Sequence, residues 1–85
     1  MSKIRPRPAI MAFARAMERE MRANSHKSGW ERMRPAACLR SALDECGEAF
    51  EALIDPMPGH FARECADAAN FLMFAATNQD RKEKP

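Results

Sequence analysis

SALDECGEAFEALIDPMPGHFARECADAANFLMFAA, residues 41–76, decides the reading of this chain. It holds two acidic clusters, DECGE at 44–48 and ECAD at 64–67, on either side of a helix-breaking DPMPG at 55–59. Positions three apart are neighbours on one face of a helix. Glu45 therefore sits beside Glu48, and Glu64 beside Asp67. If two helices fold back on each other at DPMPG, four carboxylates converge. At about 5 Å and an effective dielectric of about 20, each like-charge pair costs roughly 3 kcal/mol. A small domain cannot sustain such a cluster unless cations or protons neutralise it.

The flanking residues make both segments helical. Pro35 suits a first helical turn, because its missing N–H would be unpaired there anyway. From it, helix two is predicted to run to about Ile54. Leu39, Leu43, Cys46, Phe50 and Leu53 alternate by four and three residues, the spacing of a packing stripe. Glu45 and Glu48 lie away from that stripe, and Ala42, Ala49 and Ala52 flank Glu45, where small side chains admit a close helix neighbour. The helix thus has two packed faces, one apolar and one carrying carboxylates. Helix three is predicted from about His60 to Thr77 or Asn78. In CADAANFLMFAA, residues 65–76, only Asp67 and Asn70 are polar. A helix apolar nearly all round is buried nearly all round, and a carboxylate there needs a partner.

Upstream, Pro8 opens a first helix predicted to run to Ala23. Ile10, Phe13, Met17 and Met21 form its stripe, and Phe13, Met17 and Met21 are assigned to the core. Arg15, Glu18, Arg19 and Arg22 take the opposite side. NSHKSGW, residues 24–30, is rich in turn formers. It also brings together His26, Lys27 and the single tryptophan, Trp30, a set able to hold phosphate and stack a base. The plainer reading is that Trp30 caps the core and Lys27 is solvated. Residues 1–7 and 79–85 read as polar, flexible ends.

The expected fold is all-α: one domain over residues 1–85, a small bundle of three main helices. Eighty-five residues lie near the lower limit for a self-sufficient core, so core and site are expected to be completed by homo-oligomerisation, as homodimer or homotetramer. The charges nearly balance, with 14 basic and 12 acidic residues. Charge alone therefore does not call for nucleic acid. The chain is basic up to Arg40 and acidic from Asp44 to Asp67, which suits a polyanion held through metal. No apolar run is long enough for a membrane span, and no signal-peptide pattern opens the chain. Three cysteines without a CxxC pattern point to a reducing, cytoplasmic setting. Oxygen-only ligands favour Mg²⁺, Mn²⁺ or Ca²⁺ over zinc. Of these, Mg²⁺ commonly keeps waters, one of which can become a nucleophile, and takes further ligands from a substrate phosphate.

The order EExxE, gap, ExxD on the next helix resembles the MazG-like all-alpha nucleoside triphosphate pyrophosphohydrolases. Here it stands as DECGE and ECAD. NSHKSGW and ECADAANFLMF are similar to the short phage- and prophage-borne members, and the likeness runs from about Phe13 to Asn78. The resemblance implies Mg²⁺-dependent hydrolysis of a (d)NTP to (d)NMP and pyrophosphate, with Mn²⁺ as a substitute ion. By motif position it implies Glu45, Glu48, Glu64 and Asp67 as metal ligands, with Glu45 also orienting the attacking water. It implies Asn70 at the sugar or base, His26 and Lys27 on phosphates, and Trp30 in the base pocket. Asp44 replaces the motif's first Glu. The fourth helix of many members is missing or reduced to the tail, and the downstream Lys and Asn motif is only faintly echoed by Asn78 and Arg81. The competing readings are a non-catalytic helical interaction protein that keeps the fold, and a small nucleic-acid-binding module using Arg5, Arg7, Arg15, Arg19, Arg22 and Lys27. The acidic hairpin argues against the second. Base and sugar preference are not written in these residues.

Overall fold

The structure is a computed structural model, and it describes residues 3–24, 29–54 and 59–83. These form an all-α fold: α1 (Pro8–Ala23), a single 3₁₀ turn (Trp30–Arg32), α2 (Pro35–Ile54) and α3 (His60–Glu83). Both predicted proline starts are observed. Pro8 stands in the first turn of α1, whose C-terminus is closed by Asn24, its Nδ2 and N–H both donating to Glu20 O at 3.0 Å. Gly29 enters the Trp30 turn at φ 105°, a left-handed conformation that favours glycine. The helix break expected at DPMPG falls largely on residues 55–58, which lie outside the described residues, as do His26 and Lys27.

α3 is the central element. α2 packs along it, α1 packs on it, and the Trp30 turn closes against it. α1 and α2 do not pack on each other among the described residues. No described helix is long and apolar enough to cross a membrane.

The core differs from the predicted one in which face of α2 it uses. Cys38, Ala42, Ala49 and Ala52 are buried. The predicted stripe is not: Leu39, Leu43, Phe50 and Leu53 are exposed, and so is Cys46. The reason is steric. Alanines let the α2 backbone come close to α3, where leucines would hold it off. The flank noted beside Glu45 is thus the packed one. In α1, Met17 and Met21 are half-buried, whereas Ile10 and Phe13 are exposed. α3 is not buried all round either, since Leu72 is 50% exposed.

α3 is also longer than predicted, and residues 79–83 are helical rather than frayed. Side-chain anchors carry it past Asn78. Asn78 Nδ2 donates to Trp30 O at 2.8 Å and Met33 O at 2.9 Å. Arg81 lies over the Trp30 ring, 5.5 Å from its centroid. Trp30 O, which accepts from Met33 N–H at 3.1 Å as well as from Asn78, is thereby doubly bonded, and the turn is tied to α3. Beneath them Cys38, Phe74 and Ala75 form the buried cluster, packed by Met21, Trp30, Met33, Phe71 and Met73. All three cysteines are free thiols.

Candidate metal and nucleotide site

The acidic pairs meet as the i, i+3 spacing requires. Glu45 and Glu48 of α2 and Glu64 of α3 each bring a carboxylate oxygen within 4.8 Å of the others. Asp67, one turn along α3 from Glu64, stands beside this trio rather than within it, and its charge acts on Glu45. The four-carboxylate expectation therefore becomes three that converge and one that adjoins. Glu48 is exposed, while Glu45, Glu64 and Asp67 are half-buried. His60 supports the cluster from the start of α3, its Nε2 lying 3.1 Å from Glu64 Oε1.

The electrostatic cost appears on Glu45. Burial, followed by the Glu48 carboxylate as hydrogen-bond partner and as like charge, pushes its carboxyl up to about 8. Asp67 and Glu64 add to the effect. Without a cation, Glu45 holds a proton at neutral pH and hydrogen-bonds to its neighbours. That is the proton half of the neutralisation expected for so many acids in one place. A divalent cation is the other half: the donors are all carboxylate oxygens, the chemistry of a hard ion. The donor set therefore fits Mg²⁺ or Mn²⁺, which Glu45, Glu48 and Glu64 could hold.

Through Glu45 the cluster borders a cavity of about 680 Å³, within the size range of small-molecule sites. Glu45 and Asp67 stand in its wall, together with Trp30, Asn70, Phe71 and Phe74. The aromatic side is ordered. Trp30 stacks on Phe74 at 4.4 Å between centroids, and Phe71 meets Phe74 edge-on at 5.5 Å. Trp30 therefore caps the core and lines the cavity at once. Neither family models, curated proteins nor solved structures match this chain.

Asn70 is buried at 5% exposure, and its Nδ2 donates to Met17 O at 3.0 Å. This bond fixes the amide and leaves Oδ1 buried, with no hydrogen-bond partner among the described residues. The sequence marked Asn70 as a polar intrusion in an apolar helix, but not its tie to α1. Sequence reasoning also missed His60, although its i, i+4 spacing to Glu64 was a legible signal. Of the predicted site residues, Trp30, Glu45, Asp67 and Asn70 border the cavity, and Glu48 and Glu64 complete the cluster.

Proposed function

We propose that this chain is a MazG-like, Mg²⁺-dependent nucleoside triphosphate pyrophosphohydrolase, converting a (d)NTP to the monophosphate and pyrophosphate as a homo-oligomer. The observation that carries the reading is the convergence of Glu45, Glu48 and Glu64 beside a cavity of about 680 Å³ whose wall holds Glu45, Trp30, Phe71 and Phe74. A site for cation-bridged phosphates beside a site for a ring is the layout that a nucleotide needs. Glu45, Glu48 and Glu64 would hold the ion, with Asp67 completing its surroundings. Mg²⁺ in that place supplies charge neutralisation for the triphosphate and a water of lowered pKa.

The chain's own residues do the rest. With the ion held there, Glu45 would be ionised, and its carboxylate would orient the attacking water. His60 keeps Glu64 turned toward the cluster. The Trp30–Phe74 wall excludes water from one side of the ring, and Asn70, which lines the cavity, contacts the base or sugar. His26 and Lys27, which lie outside the described residues, complete the proposed set as phosphate contacts.

The test is a pyrophosphate-release assay over the common NTPs and dNTPs, with Mg²⁺ and with EDTA, beside Glu48→Ala. Release that needs the metal and disappears in the variant is the expected result. A second reading, a non-catalytic helical interaction protein, is favoured by the exposed apolar face of α2. Absence of turnover on every substrate, from folded protein, would select it.

A further inference from the structure

α2 presents two apolar faces, and only one is used within the chain. Turned at about 100° per residue, Leu39, Leu43, Cys46, Phe50, Leu53 and Ile54 fall within an arc of about 100°, centred roughly 100° round the helix from the buried alanines. Leu43 is 73% exposed, Phe50 65%, Leu53 60% and Ile54 70%. The exposed surface of the whole chain is 7046 Å². A compact monomer of 9.6 kDa exposes about 5,100 Å². The chain thus exposes about 1,900 Å² more than a compact monomer of its mass, an excess to which the extended arm at residues 3–7 and the apolar face of α2 both contribute.

We infer that this face is a two-fold interface in which α2 packs antiparallel on α2 of a second copy, crossing near Cys46 and Gly47. Three features of the helix fit that occupant. With the axis there, Leu43 meets the partner's Phe50, and Leu39 meets the partner's Leu53 and Ile54, so the face is complementary to itself as a two-fold requires. Arg40 and Glu51 lie on the same flank of the stripe, on opposite sides of the crossing. A two-fold perpendicular to the helix keeps like flanks together, so Arg40 of each copy comes beside Glu51 of the other. A parallel pairing would not bring them together. The third feature is Gly47. A mid-helix glycine costs about 1 kcal/mol against alanine, and a Cβ at Gly47 would meet nothing within 4 Å in the single chain. Its lack of a side chain has a use only where a second backbone approaches. The interface follows from α2 alone and stands whether or not the acidic cluster is catalytic.

The test is sedimentation velocity of the full chain at micromolar concentration, with far-ultraviolet dichroism as the control for folding. The wild type should sediment as a dimer. Leu43→Glu combined with Phe50→Glu should sediment as a monomer of unchanged helicity, since both side chains are exposed in the single chain. Gly47→Leu should weaken association while leaving the helix intact. Arg40→Glu should weaken association about tenfold, and adding Glu51→Arg to the same chain should restore it to within about threefold. A monomeric wild type, whatever else the face bound, would overturn the inference, as would a dimer indifferent to the Leu43 and Phe50 changes. A charge reversal not rescued by its partner change would overturn the antiparallel register.

Discussion

Raising the pH without divalent cations should loosen this fold, and Glu45→Gln should remove most of that loss. Burial and the neighbouring acids raise the Glu45 carboxyl from an ordinary 4.5 to about 8. Between those values the unfolded chain has released the proton and the folded chain still holds it. The folded state binds more protons, so its stability falls as pH rises from about 4.5 and levels off above about 8. A shift of that size on a fully shielded group would amount to about 5 kcal/mol. Glu45 is only half-buried beside an exposed Glu48, and solvent screening brings the expected loss to about 2 kcal/mol. For a domain of this size that is a drop of about 8–16 °C in Tm. Thermal melts followed by dichroism at 222 nm, in EDTA from pH 5 to 9, read it directly. A glutamine keeps the hydrogen bonds of the protonated acid and has no proton to lose. The variant should melt at nearly the same temperature at pH 5 and pH 8. Millimolar Mg²⁺ should raise the wild-type Tm at pH 8 and affect the variant much less. Equal pH slopes in the two proteins would refute the placement of a shared proton in this cluster.

Asn78→Ala removes both hydrogen bonds to the Trp30 turn. It should cost about 2–3 kcal/mol in urea denaturation and shift Trp30 emission to the red; a change below about 0.5 kcal/mol would mean that the turn is held by packing alone. Phe74→Ala removes the ring stacked on Trp30 and should cost about 3–4 kcal/mol, with loss of the near-ultraviolet dichroism of Trp30; retention of that signal would contradict the stack. Asp67→Asn should lower Mg²⁺-dependent turnover at least about tenfold while leaving the metal-free protein as stable or more so at pH 8. Full activity in that variant would remove Asp67 from the site.

Much of this structure is legible in the chain because its signals are local. Pro8 and Pro35 set helix starts through the geometry of one residue, and the i, i+3 acids announce a shared face wherever the helices lie. The face of α2 that packs was harder to read. Side-chain size favoured Leu39, Leu43 and Phe50, but close approach of two backbones favours Ala42, Ala49 and Ala52. That choice depends on α3, not on α2. The end of α3 misleads for a similar reason: NQDRKE looks solvated, yet Asn78 and Arg81 find partners on a turn more than forty residues upstream. The raised Glu45 carboxyl likewise depends first on burial in the fold, then on Glu48, with Asp67 and Glu64 adding to it, and no reading of DECGE alone supplies that burial.

The most direct measurement of the central claim is ³¹P NMR of a nucleoside triphosphate mixture incubated with the wild type and with Glu48→Ala, in Mg²⁺ and after EDTA. The account predicts monophosphate and pyrophosphate in equal amounts, from the wild type with Mg²⁺ alone. Diphosphate and inorganic phosphate as products, or triphosphates left intact by folded protein, would contradict it.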